Sequence, residues 1–152
     1  MARMKGTELK GMRYEPMFRY FVDAYGSTAW RVVTDTYVTD DSGTGVVHQA
    51  PAFGEDDYRV CTTQGIIAKG AEVPCPVDNA GRFTAAVTDF EGMHVKEADK
   101  GILAAIKEAG RLVDLTSIVH SYPFCWRSDT PLIYKVRLFV RCVSPFCGFS
   151  CL

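Results

Sequence analysis

The chain has no surplus of positive charge: seventeen Lys and Arg face eighteen Asp and Glu, a formal net charge of −1. A free-standing nucleic-acid binder carries a basic excess that displaces counterions from phosphate. That class is excluded for the chain acting alone, and any meeting with RNA is expected as part of something larger. There is no apolar run near the eighteen or so residues of a membrane span, and no charged-then-apolar secretory leader. The expectation is a cytoplasmic protein with no membrane partner. Cysteine occurs six times but never as Cys-x-x-Cys: Cys61, Cys75 and Cys125 are scattered, while Cys142, Cys147 and Cys151 crowd the end. His48, His94 and His120 do not fall at the spacing of helix-borne ligands. The pattern reads as reduced thiols and no metal site. Internal repeats, low-complexity tracts, a nucleophile elbow and a Ser, His and Asp constellation are also missing, so covalent catalysis is not expected.

What is present suits one globular domain: 152 residues, 47% hydrophobic and 23% charged, are enough to bury a core. Phe18, Tyr20, Phe21 and Tyr25 form an aromatic cluster that Gly26 and Ser27 interrupt. Residues 30–39 alternate as a strand with Trp30, Val32, Thr34, Thr36 and Val38 on one face, and 45–49 reads as a second short strand. Further extended segments are expected over 83–90, 112–119 and 132–140. A helix opens at Gly54-Glu55-Asp56-Asp57, where carboxylates complement the dipole, and stops at Gly65. The clearest helix covers 96–109, with Ala98, Ile102, Ala105, Ile106 and Ala109 as its apolar stripe and Gly110 as its cap. Short strands with two or three helices predict an α+β fold, its strands curled into a barrel.

The densest chemistry lies in Gly43-Thr-Gly-Val-Val-His48-Gln-Ala-Pro51-Ala-Phe-Gly54-Glu-Asp-Asp57-Tyr58. A strand enters a Gly/Pro loop, and the loop leads into a helix that opens on three carboxylates. That arrangement aims His48 and one of Glu55, Asp56 or Asp57 at the same small space.

Four ordered segments carry a family resemblance. They are 43–58; Cys75-Pro-Val-Asp78 with Gly81 and Phe83-Thr84; Thr88-Asp-Phe90 with Gly92, Val95, Ala98-Asp99 and Ile102; and His120-Ser-Tyr-Pro-Phe-Cys-Trp-Arg127 with Thr130-Pro-Leu-Ile-Tyr134. Together, from about Leu9 to Tyr134, they resemble the editing domain that class I isoleucyl-tRNA synthetases carry as an insertion. His48 and the Phe-Gly-Glu-Asp-Asp-Tyr wording resemble the isoleucine branch, its eukaryotic cytosolic subgroup and close bacterial kin, more than the valine or leucine relatives. The resemblance implies a β-barrel-like editing fold over residues 1–135. It also implies a hydrolase that removes valine from mischarged tRNA(Ile), with the 3′ end of the aminoacylated tRNA and the remainder of the synthetase as partners.

Such a site answers a physical problem. One methylene is worth only about 1–3 kcal/mol in an apolar pocket, a figure known for this very pair of amino acids rather than a result of the present structure. By the resemblance, Asp57 holds the α-ammonium through a charge-assisted hydrogen bond; as a bare residue it is equally a helix-start carboxylate. His48 is implied to line the pocket for the side chain, where it excludes isoleucine or contacts the ester. Gly45 and Gly54, with Gly43, would let backbone approach the substrate, although turn geometry alone accounts for Gly43. Thr44 offers a hydroxyl and also reads as turn chemistry, as does Asp78. A positioned water is the expected nucleophile, with orientation supplying most of the rate.

The chain departs from the family in three places. The threonine-rich peptide of the Thr-Thr-Thr-Pro-Trp-Thr type that forms a second wall is missing, and Thr62-Thr63 does not replace it. The motifs of the ATP-driven synthetic site are missing as well, so no cofactor is expected in this chain, ATP and Mg belonging to the synthetic domain. After Lys135 the family's Pro-Ser-Trp-Phe-Val is replaced by a hydrophobic, cysteine-rich tail over 136–152, which reads as truncation or a gene-model artefact. Ser128 stands where relatives with a Cys-Trp-Arg-Cys element have a second cysteine. The alternative to an editing hydrolase is a fragment that keeps the fold but hydrolyses nothing alone, or the editing domain of a valyl or leucyl relative.

Overall fold

The computed structural model describes residues 4–41, 44–117 and 119–136. Three α-helices follow in chain order: α1 (Val22–Tyr25), α2 (Glu55–Thr63) and α3 (Val95–Glu108). Single 3-10 turns occupy Gly6–Leu9 and Thr88–Phe90. Gly43, Ile118, residues 137–140 and the cysteines of the tail lie outside the described residues.

The two longer helices form for the reasons expected. Both end in the same hydrogen-bond pattern with a left-handed glycine just past the cap. In α2 the Gly65 N–H reaches Thr62 O at 3.1 Å and the Ile66 N–H reaches Cys61 O at 2.8 Å. In α3 Gly110 donates to Lys107 O and Arg111 to Ile106 O, each at 3.0 Å. The start of α3 adds a cap the sequence reading overlooked: His94 Nδ1 accepts from the Lys96 N–H, and Glu97 accepts from the His94 N–H at 3.2 Å.

The strands are a different matter, and the expected barrel is not formed by the described residues. Pairing there is confined to isolated antiparallel bridges, Arg13 with Arg31, Val77 with Phe83, Arg82 with His94 and Phe124 with Pro131. The 30–39 segment is paired only at its start, where Gly11 donates to Val32 O and Tyr14 to Trp30 O. Trp30 itself has φ 50, a left-handed conformation that breaks any ladder. Thr44 and Gly45 form a turn in which the Val46 N–H and the Thr44 hydroxyl bond locally, and Gly45 has φ 70. Thr88–Phe90, expected as extended, is helical. Residues 112–117 and 132–136 form no ladder either. Alternation gives a segment one apolar face, but a strand persists only where a second segment satisfies its N–H and C=O groups. A barrel requires that on both edges of every strand.

The core sits around the helices and the irregular segments between them. Val60 and Cys61 of α2 are buried with Ala52 and Ile67, as are Val77, Val87 and, in α3, Ala98. Val60, 1% exposed, contributes on the order of 1.5–3 kcal/mol by burial. Side-chain and backbone ties over long separations complete the assembly. Arg111 bonds Glu15 at 2.7 Å, the Tyr20 hydroxyl donates to Asp89 at 2.7 Å, and the Val136 N–H donates to Ala52 O at 2.8 Å.

Candidate functional site

Asp57 is the third residue of α2, in the turn whose N–H groups have no partner within the helix. Its carboxylate does not point along that helix end. Asp57 Oδ2 accepts from the Ala50 N–H at 3.0 Å, drawing the 50–54 loop onto the helix start. Gly54 makes this possible, because a Cβ there would lie 2.8 Å from Asp57 Oδ2. The Phe53 N–H closes the loop on Ala50 O at 2.8 Å, and buried Ala52 anchors it from below. Asp57 Oδ1 takes no hydrogen bond among the described residues.

His48 lies two residues before the Asp57-bound amide and is exposed. It borders a cavity of about 620 Å³, half of whose lining residues are aromatic: Tyr14, Phe18, Tyr20, Phe21, Trp30, Phe83 and Phe90. Within that wall Phe18 stacks on Tyr20 at 5.5 Å and meets Phe90 edge-on at 6.3 Å. Phe18, Tyr20 and Phe21 of the aromatic cluster seen in the sequence thus form part of the cavity's lining, and Tyr25 does not. Asp57 does not line this cavity; the link between the two residues runs along the chain, from His48 to Ala50, whose N–H Asp57 holds. Of the other site candidates, Thr44 is exposed and Gly45 half-buried in the preceding turn.

The neighbouring acids have other work. Asp56 pairs with Arg59 at 3.1 Å, three residues on along α2. Arg59 also forms a two-pronged pair with Asp35, Nη1 to Oδ2 at 2.9 Å and Nη2 to Oδ1 at 3.0 Å. The hydrogen bonds from Arg59 hold the Asp35 carboxyl below the usual carboxylate range, aided by the Tyr37 N–H. The same pair, followed by Asp56, pushes the Arg59 pKa up. The Arg59 guanidinium stands 5.7 Å from the Tyr37 ring centre, and the Tyr37 hydroxyl accepts from Gln49 Nε2 at 2.5 Å. The sequence reading missed Asp35, Tyr37, Gln49 and Arg59. Only the Asp56 and Arg59 spacing was visible in advance.

The described thiols sit in unlike surroundings. Burial pushes Cys61 up to about 11, with the charge of Asp57 one turn earlier adding to it. Cys125 sits in a tight turn where the Ser128 hydroxyl, then the Ser128 and Arg127 amides, lower its pKa. Cys61, Cys75 and Cys125 are all free, and no group of three metal-binding side chains occurs among the described residues. Asp78 accepts from the Ala80 and Arg82 amides at 2.8 and 2.9 Å, which is the turn role expected of it. No helix among the described residues is long and apolar enough to cross a membrane.

Comparison with known proteins gives the class. The chain is 58% identical over 135 residues to the cytoplasmic isoleucine–tRNA ligase of Arabidopsis thaliana, covering 89% of this chain and 11% of that protein. The corresponding enzyme of Caenorhabditis elegans is 55% identical over 136 residues, 88% of this chain and 12% of that protein. The isoleucine–tRNA ligase of Bdellovibrio bacteriovorus is 54% identical over 132 residues, 87% of this chain and 12% of that protein. No family model matches. The chain is thus homologous to a segment of aminoacyl-tRNA ligases, spanning about a ninth of the length of these relatives. The amino acid common to all three names decides the branch: the chain corresponds to one segment of the isoleucyl-tRNA synthetases, cytoplasmic eukaryotic forms among them.

Proposed function

We propose that this segment is an editing module of a cytoplasmic isoleucyl-tRNA synthetase, hydrolysing the ester of valyl-tRNA(Ile) by attack of a positioned water. The placement of Asp57 carries the reading. One carboxylate oxygen is occupied by the Ala50 N–H, so the group has a fixed direction, while Oδ1 remains open to a cation. An α-ammonium bound there would make a charge-assisted hydrogen bond and orient the aminoacyl ester beside His48. Gly45, Thr44 and Gly54 shape the backbone around it. The 3′ end of the aminoacylated tRNA is the partner, together with the rest of the synthetase. Hydrolysis by water needs no cofactor, and ATP and Mg belong to ligation.

A specific observation favours activity only within the synthetase. Val113, Leu115, Trp126 and Tyr134 are 98%, 64%, 88% and 72% exposed, an apolar surface suited to the body of a larger protein. The test is steady-state deacylation of valyl-tRNA(Ile) by the synthetase carrying this segment, and by the chain alone. Asp57→Ala is expected to lower the rate in the synthetase by about 100-fold, with isoleucine ligation unchanged. A wild-type rate in that variant would refute the editing role of Asp57.

A further inference from the structure

The Arg59 network has no part in the chemistry just described, yet it reaches the loop that the chemistry depends on. Ala50 is held directly by Asp57, but Gln49, its neighbour, is held from the other side. Gln49 Nε2 donates to the Tyr37 hydroxyl, the Tyr37 ring lies against the Arg59 guanidinium, and Arg59 grips Asp35 two residues before Tyr37. The Tyr37 N–H also donates to Asp35 Oδ1 at 3.2 Å, so residues 35–37 move as a unit with the carboxylate. A lone exposed ion pair would contribute little. This one is two-pronged, shared with Asp56, and its Asp35 side chain is only 17% exposed.

We propose that Arg59 is a positioning residue for the editing site: with Asp35 and Tyr37 it fixes the His48–Ala50 loop against α2, and so sets where His48 stands relative to Asp57. The inference rests on the editing reading given above. Arg59 itself touches no substrate. Its effect passes through one hydroxyl and one amide side chain, and a misplacement of about 1 Å at such a loop is enough to slow a positioned reaction by up to about 100-fold.

The experiment measures kcat and KM for valyl-tRNA(Ile) deacylation in the synthetase carrying Arg59→Lys, Asp35→Asn, Tyr37→Phe or the double exchange Asp35→Arg/Arg59→Asp. Isoleucine ligation in the same preparations reports folding. Arg59→Lys keeps the charge but loses the planar two-pronged grip. It is expected to lower kcat about ten-fold at unchanged KM, Asp35→Asn to do the same, and the double exchange to recover part of the loss. Tyr37→Phe removes one hydroxyl and is expected to lower kcat about three-fold, which keeps the proposal testable if a charge variant fails to fold. Wild-type kcat in both Arg59→Lys and Tyr37→Phe would overturn it, as would losses that appear equally in ligation. Asp57→Ala separates the two claims. If it lowers deacylation while the Arg59 and Tyr37 variants keep wild-type kcat, only the positioning role fails; if it has no effect, the editing reading fails first.

Discussion

Gly54 and Asp57 act as one device. Gly54 has φ −146, an extended conformation open to any residue, so alanine there meets no backbone strain. What it meets is the Asp57 carboxylate, at 2.8 Å from Oδ2 and 3.0 Å from Cγ. Gly54→Ala is therefore expected to push Asp57 off the Ala50 N–H, losing a hydrogen bond to a charged group worth about 1.5–3 kcal/mol. Deacylation should fall toward the level of Asp57→Ala, and urea denaturation should show the stability loss. The cysteines give a second residue-scale test. Cys125, its pKa lowered by Ser128, should be alkylated before Cys61, which burial and the charge of Asp57 keep protonated. Mass-spectrometric mapping at mildly alkaline pH reads the order directly, and Ser128→Ala should slow Cys125. The acidic opening of α2 was legible in the sequence because a helix start favours carboxylates wherever it occurs. Which acid takes which role was not. Asp57 bonds an amide seven residues back and Asp56 an arginine that is also claimed by Asp35, and these choices depend on how the loop folds over.

Helices and strands fared differently because they draw on different partners. The reading of a helix over 96–109 with a Gly110 stop is matched by α3 within a residue, since its hydrogen bonds, stripe and cap are all local. The reciprocal cap of His94 and Glu97 makes a direct prediction. Glu97→Ala should cost about 1 kcal/mol, and chemical denaturation monitored by circular dichroism would measure it. The strand expected over 30–39 rests on alternation and those over 45–49 and 83–90 on the turn signals around them; neither says what a segment pairs with. In the structure the first is paired only near Trp30, the second follows a local turn, and the third is bridged at Phe83 and ends in a 3-10 turn closed by the Phe90 N–H on Val87 O.

Over the whole molecule, alkaline stability follows from weak acids that the fold keeps protonated, among them Cys61, Tyr20 and, raised by burial and then by Cys61, Tyr14. Cys61 ionises at about 11 in the folded chain because of burial and then Asp57, and Tyr20 at about 12 because of desolvation and then its bond to Asp89. Each stays protonated in the folded state at a pH where its unfolded counterpart has ionised. The unfolded state then binds fewer protons, so stability is full below the unfolded values and falls as pH rises through the window. The Cys61 part is about 2 kcal/mol, lost between roughly pH 9 and 11. Urea midpoints against pH should show this decline, and Cys61→Ala should remove its lower portion. The exposed apolar side chains of Val113, Leu115, Trp126 and Tyr134 predict that the chain alone binds a hydrophobic dye and, on the editing reading, deacylates roughly 100-fold more slowly than the synthetase that carries it.

By itself the sequence determined the local features: where α2 and α3 begin and end, the scatter of Cys61, Cys75 and Cys125, a balanced charge, the acidic loop around His48 and Asp57, and the kinship with isoleucyl-tRNA synthetases. Each of these depends on neighbours within a few residues or on the identity of the residues themselves. Only the tertiary structure decided that Phe18, Tyr20 and Phe21 line the cavity beside His48, that Asp57 faces Ala50, and that Asp35, more than twenty residues upstream, grips Arg59. Those contacts are fixed by which distant segments pack together, and no local pattern of charge or hydrophobicity encodes that choice.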